Sequence, residues 1–164
     1  MTPSQVASKY IGQTEIPGNL GFNDAVFGAK MIEVGFEKSH AWCCYFTELV
    51  FKEAFPEKAA DLDKLFSAST IQTFSNFKKA FYPIQYLPKL NTLVIWQRMR
   101  NGVAQSTGHA GVVTEVKNTW EFKSIEGNSN SEGGREGFEV AENPNRRVKI
   151  DVTNGLKVLG FITI

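Results

Sequence analysis

Apolar residues in the first half of the chain recur every three or four positions, the spacing of a helix face. One such stripe, Phe27, Met31 and Val34, predicts a helix from about Asp24 to Val34. Another, Phe46, Leu49, Val50 and Ala54, predicts a helix that starts near Trp42 and is ended by Pro56. Two further starts carry cap signatures. Thr2-Pro3-Ser4-Gln5 combines a cap residue, a proline at the first helical position and a glutamine three residues after the cap. Ser69-Thr70-Ile71-Gln72 repeats the box, and Phe74, Phe77 and Phe81 behind it form one stripe, read as core rather than as a cofactor site. Ile16-Pro17-Gly18-Asn19-Leu20-Gly21 is loop chemistry.

From Leu93 the texture changes to short runs of β-branched and aromatic residues: Leu93–Trp96, His109–Val116, Trp120–Ile125, Val148–Ile150 and Val158–Ile164. Asn128–Gly137 reads as a polar, glycine-rich loop. Helices first and strands afterwards predict an α+β fold, with N-terminal helices packed on a C-terminal antiparallel sheet. With 164 residues, no internal repeat and no long linker, residues 1–164 are expected to form one domain that folds alone.

Charge narrows the functions. Eighteen basic against 17 acidic residues leave a net charge of +1, which gives no footprint for nucleic acid and no polybasic membrane anchor. No run approaches the ~20 apolar residues of a membrane span. The opening Met1-Thr2-Pro3-Ser4-Gln5 lacks the basic start and apolar core of a secretory signal. The expectation is a monomer that stays in the cytoplasm until release or delivery.

The two cysteines, Cys43 and Cys44, are adjacent, and Cα atoms one peptide apart are too close for relaxed disulfide geometry. Both thiols are expected free, and nothing demands an oxidising compartment. Cys43 stands where a helix begins, after Ser39-His40-Ala41-Trp42. The positive end of the helix dipole lowers a thiol's pKa there and favours the nucleophilic thiolate. The bland alternative is a pair of small buried core residues, the commoner fate of free cysteine. Cys44 shares the helix argument, but successive helical side chains diverge by about 100°, so only one of the pair faces a given cleft. A zinc site from His40, Cys43, Cys44 and His109 is disfavoured, because adjacent cysteines do not easily ligate one tetrahedral ion.

The base is His40 or His109, the only histidines. His40 reads equally as a loop or cap residue, and a lone strand histidine as a hydrogen-bonded structural one. His109 opens an alternating strand that places His109 and Gly111 on one face. The following strand ends in Ser124-Ile125-Glu126-Gly127-Asn128, with Glu126 and Asn128 on a common side. A tight hairpin about Lys117-Asn118 or Asn118-Thr119 would oppose His109 to Glu126 or to Asn128 respectively. In either register, if no bulge intervenes, a polar group stands beside the imidazole to accept its Nδ1 proton and fix its tautomer. Backbone amides at the helix start, that of Cys43 included, are placed for a developing oxyanion. This much describes a thiol hydrolase and names no substrate.

Three segments, Ala41-Trp42-Cys43-Cys44-Tyr45-Phe46, Gly108-His109-Ala110-Gly111-Val112-Val113 and Ile125-Glu126-Gly127-Asn128-Ser129, resemble the CHAP family of cysteine, histidine-dependent amidohydrolases and peptidases. Gly160-Phe161-Ile162 is similar to that family's closing strand, and in order and spacing the likeness spans most of residues 10–164. The resemblance implies a papain-like fold with Cys43 as nucleophile, chosen over Cys44 because it follows Trp42. It implies His109 as base and Glu126 and Asn128 as the orienting pair. It also implies peptidoglycan as substrate, cut between sugar lactate and stem peptide or within the peptide, by an N-acetylmuramoyl-L-alanine amidase or an endopeptidase. The aspartate-rich calcium loop of some relatives is reduced here to Glu15 and Asp24 among apolar residues, so neither metal nor other cofactor is expected. There is no room for a separate wall-binding domain. With no secretory signal read at the start, the resemblance fits a phage or prophage lysin held in the cytoplasm until lysis, a toxin delivered by a secretion apparatus, or a chain trimmed of its leader. The loop beginning Asn128-Ser129-Asn130 is expected to line the substrate groove with Trp42 and Phe22. Two alternatives stand beside this reading: a cysteine amidase or peptidase acting on a small peptide conjugate or a protein, and a catalytically silent binding module on the same fold.

Overall fold

The computed structural model describes residues 1–130 and 137–164. Short polar side chains start three of its helices as the cap rules require. Thr2 opens α1 (Pro3–Ser8) with a complete capping box, Asp24 accepts from Phe27 N at the head of α2 (Ala25–Glu33), and Ser69 accepts from Gln72 N at the head of α5 (Thr70–Lys79). Between them lie α3 (Cys43–Ala54), a 3-10 turn at Pro56–Lys58 and the single-turn α4 (Ala59–Leu62). The second half is a six-stranded antiparallel sheet: β1 (Ile84–Gln85), β2 (Leu93–Arg100), β3 (Val103–Val116), β4 (Glu121–Ser129), β5 (Glu139–Arg147) and β6 (Gly155–Ile162), in the order β1-β6-β2-β3-β4-β5. The fold is α+β, and no helix among the described residues is long and apolar enough to cross a membrane.

Strand alternation divides the sheet's apolar residues into two cores. Leu93, Ile95, Ala110, Val112, Ile125 and Ile162 join the helical core, while Val94, Trp96, Val113, Phe122, Val158 and Phe161 form a second cluster. Every residue from Cys43 to Phe51 is buried, so α3 is the central helix, packed against α1, β3 and β4. Full burial of a side chain such as Phe46 or Phe51 stabilises by roughly 1.5–3 kcal/mol, and this packing fixes where α3 begins. The sheet also curls: β2 and β5 are separated by two strands, yet the Arg146 guanidinium of β5 stands 5.1 Å from the Trp96 ring centre of β2.

Four sequence expectations are corrected. His109 does not open its strand, because β3 begins at Val103 and carries His109 in its middle. Phe81 does not continue the stripe of Phe74 and Phe77. The helix ends at Lys79, Phe81 takes φ of 59°, and its side chain is 93% exposed. Val148–Ile150 is not a strand. The strand is the preceding Glu139–Arg147, whose Pro144 is tolerated because β5 is a sheet edge. The β3–β4 connection is not a two-residue turn. Lys117 N and Asn118 N both donate to Glu121 O, while Asn118 Oδ1 accepts from Trp120 N and Glu121 N, an Asx-type turn that leaves Trp120 outside β4.

Candidate active site

The site is set where the start of α3 meets the middle of β3. Trp42, the residue before the helix, makes no side-chain cap bond, and the first amides of a helix have no intrahelical acceptor. The Trp42 amide itself is held from another element, donating to Asn128 Oδ1 at 3.1 Å. Asn128 takes φ of 51°, and its amide group also donates to Gly137 O at 2.7 Å. Gly127 permits this contact: a Cβ there would stand 2.6 Å from Phe46 Cβ and 2.6 Å from Trp42 Cζ3. The end of β4 therefore fixes the helix entry by touching its backbone.

His109 is fully buried on β3, its ring stacked on Trp96 with centres 5.7 Å apart. Its Nε2 meets Glu126 Oε2 at 2.8 Å. Glu126 is equally buried and richly held, accepting from Ser124 Oγ at 2.5 Å, from Arg146 Nε at 2.7 Å and from Arg146 Nη2. The other imidazole nitrogen, Nδ1, is buried without a hydrogen-bond partner among the described residues. It is the nitrogen left for the Cys43 thiol, whose influence on His109 appears in the proton affinities of both groups.

Those affinities separate the two cysteines. Hydrogen bonding from Cys44 is the largest influence on Cys43. Together with the His109 imidazole and the Ala110 backbone, it outweighs burial and holds the Cys43 thiol well below its ordinary range. Cys44 is pushed well above its ordinary range, by the same bond seen from the other side and by burial. Burial works against charge on His109, but Cys43 and Glu126 outweigh it and lift its pKa to about 9. Burial likewise opposes charge on Glu126, and His109 and Arg146 overcome it, holding the carboxyl at about 2. These directions together favour a Cys43 thiolate beside a His109 imidazolium, which rests on an ionised Glu126.

Cys43 opens onto a cleft of about 560 Å³. Its walls mix short polar with small apolar residues: Asn19, Ser39 to Ala41, Ala68 to Thr70, Ser106 to Gly108, Asn128 and Gly137, with Glu15 as the acidic residue among them. Cys44 does not line it and packs its sulfur 3.8 Å from Thr73 Oγ1.

No family model, curated protein or solved structure matches the chain. The chemistry of the site therefore rests on its own residues.

The structure brings Cys43, His109 and Glu126 together and redistributes the rest. Asn128 does not touch the imidazole. Around Val112 and Val113 the register is the one that would oppose it to His109, but the positive φ of Asn128 and a break in β4–β5 pairing between Glu126 and Ser129 carry it to the helix entry. Glu126 holds Nε2 rather than the expected Nδ1. Trp42 and Phe22 are core residues and not groove walls: Trp42 is wholly buried, its Nε1 donates to Glu15 Oε2 at 2.5 Å, and the Phe22 ring meets it edge-on at 5.1 Å. Ser129 is buried, with its hydroxyl 3.4 Å from Glu126 Oε2, and neither it nor Asn130 lines the cleft. Of the polar loop expected to line the groove, residues 131–136 lie outside the described residues. His40 lines the cleft but pairs with Tyr45, Nδ1 to hydroxyl at 3.1 Å.

Arg146 and Ser124 were not anticipated. Ser124 shares its strand face with Glu126 by simple alternation, so its signal was present; Arg146 lies on the unrecognised β5. Glu15 and Asp24, the acids of the shortened loop, bond Trp42 and cap α2. Among the described residues, no group of three or more His, Cys, Asp or Glu side chains is placed to hold a metal ion.

Proposed function

We propose that the chain is a cysteine-dependent hydrolase of amide bonds in peptidoglycan, with the papain-like fold of the CHAP family. The observation that carries the reading is the chain Cys43–His109–Glu126: a thiol at a helix start, a buried imidazole beside it, and a carboxylate 2.8 Å from that imidazole, with the thiol open to a cleft. A nucleophile, a base and a group that orients the base make up the general requirement for covalent acyl transfer.

In the proposed mechanism the Cys43 thiolate attacks the amide carbonyl. Negative charge moves to the carbonyl oxygen, where the unpaired amides of the first turn of α3 can receive it. The His109 imidazolium passes its proton to the leaving amine as the C–N bond breaks, leaving an acyl-enzyme. Neutral His109 then takes a proton from water, whose oxygen attacks the thioester, and collapse releases the acid and restores the thiolate–imidazolium pair. Glu126 holds one tautomer and orientation throughout.

Peptidoglycan is supported by the likeness of the three motif segments to the CHAP family. The serine, threonine and asparagine side chains of the cleft can hydrogen-bond to the amides of a peptide chain. The test is clearance of purified peptidoglycan, with mass spectrometry of the soluble fragments. Wild type and Cys44→Ser should release fragments whose masses name the cut bond, and Cys43→Ala should release none. Release by Cys43→Ala at the wild-type rate would overturn the mechanism, and no release by wild type would overturn the substrate.

A further inference from the structure

A second hollow, of about 370 Å³, lies on the Trp96 side of the sheet and shares no lining residue with the Cys43 cleft. Sheet curling brings Arg98 of β2, Arg146 and Arg147 of β5 and Lys149 to its rim, and among the described residues no carboxylate lines it. Two of these cations are compensated from outside it. Arg146 directs Nε and Nη2 at Glu126, and Arg147 lies 2.7 Å from Glu121. Arg98 and Lys149 have no ion-pair partner among the described residues. Like charges gathered in a concavity, over a low-dielectric floor such as the Trp96 ring, focus a positive potential that an anion relieves.

We propose that this hollow binds an anionic ligand carrying adjacent oxyanion groups, of diphosphate or polycarboxylate type. The volume falls in the lower part of the ~300–1,000 Å³ range of small-ligand sites. Guanidinium forks match phosphoryl and carboxylate oxygens, and Lys149 adds a mobile point charge. Arg98 and Lys149 are the primary contacts. Arg146, whose Nη1 is not used by Glu126, closes the inner end. A bound anion would thus lie two contacts from His109, through Arg146 and Glu126. The inference rests on these residues alone and does not require the hydrolase reading.

The test is calorimetric titration with inorganic pyrophosphate at fixed ionic strength, with citrate as a parallel arm to distinguish phosphoryl from carboxylate recognition. Arg98→Gln with Lys149→Gln removes two exposed side chains, and unchanged circular dichroism and melting temperature would establish that the fold is kept. Lys78→Gln, at the end of α5, controls for overall charge. The expected result is saturable wild-type binding of at least one anion, unaffected by Lys78→Gln and weakened about tenfold or more in the double variant. No saturable binding of either anion, or equal affinity in wild type and double variant, would overturn the proposal. Neither outcome bears on peptidoglycan cleavage.

Discussion

Glu126 lies diagonally across from His109 on the neighbouring strand and reaches Nε2 at 2.8 Å beside the bare backbone of Gly111. Val112 faces Ile125 and Val113 faces Ser124, so the next step of the register sets Glu126 next to Gly111. A Cβ on Gly111 would stand 2.7 Å from Glu126 Cγ and 3.4 Å from both Ile125 O and Trp96 Cζ3. The absence of a side chain is what opens the path between acid and base. Gly111→Ala should displace Glu126 from His109, destabilise the fold by roughly 1–3 kcal/mol and lower turnover more than a surface substitution of equal cost. Urea denaturation together with fragment release checks both.

Glu126→Gln removes the charge that supports the imidazolium while keeping the side chain's shape. The His109 pKa of about 9 should then fall toward the ordinary 6.5, moving the alkaline limb of turnover to lower pH. The sign for stability follows from both partners. Glu126, depressed from 4.5 to about 2, contributes stability that is present above pH 4.5 and lost as pH falls toward 2. His109, raised, contributes stability that is present below pH 6.5 and lost as pH rises toward 9. The melting-temperature gap between wild type and variant should be widest between about pH 4.5 and 6.5, and narrower on either side.

Asn128→Ala leaves the Trp42 amide without its acceptor and places an alanine at a φ of 51°. Loss of a buried hydrogen bond and left-handed strain together should cost about 2–3 kcal/mol. Because the His109–Glu126 contact is untouched, the pH limbs of any remaining activity should hold their wild-type positions. A shifted alkaline limb would instead place Asn128 in the acid–base machinery.

Glu48 lies buried on α3, and burial raises its carboxyl to about 8, against the pull of Lys52 at 3.7 Å. A raised acid destabilises the fold progressively as pH climbs from about 4.5 to 8, because the unfolded chain ionises first. Glu48→Gln should therefore gain melting temperature relative to wild type with rising pH, with the largest gain above pH 8. A gain that is the same at pH 5 and pH 8.5 would contradict this.

Much of the site was legible because its parts obey short-range rules. A thiol at a helix start, a histidine on an alternating strand and an acid on the next strand are each local patterns, and so are the caps at Thr2 and Ser69. The unread parts depend on departures from regularity. The role of Asn128 follows from a left-handed residue and a break in pairing, and simple strand alternation assigns it to the imidazole. Arg146 sits on an edge strand whose Pro144 and polar residues hide its period, and it reaches Glu126 only because the sheet curls. Trp42 and Phe22 were misplaced because an aromatic beside a nucleophile reads equally as groove or core, and burial against Phe27 and Phe36 decides it. Phe81 was misplaced by one turn, where the helix period had already ended.

The central claim, that Cys43 rests as a thiolate paired with His109, is tested most directly by the pH dependence of alkylation. Wild-type protein would be treated with iodoacetamide across pH 5 to 10, and labelling of Cys43 and Cys44 followed separately by peptide mass spectrometry. The shape of the profile reports the thiol's titration regardless of how far the cleft slows access. The account predicts that Cys43 is already labelled at a substantial fraction of its maximal rate well below the ordinary thiol pKa, with a change near pH 9 as His109 loses its proton, while Cys44 stays unlabelled. Labelling of Cys43 that rises only around the ordinary thiol pKa of ~8.5, or labelling of Cys44 at an equal rate, would contradict it.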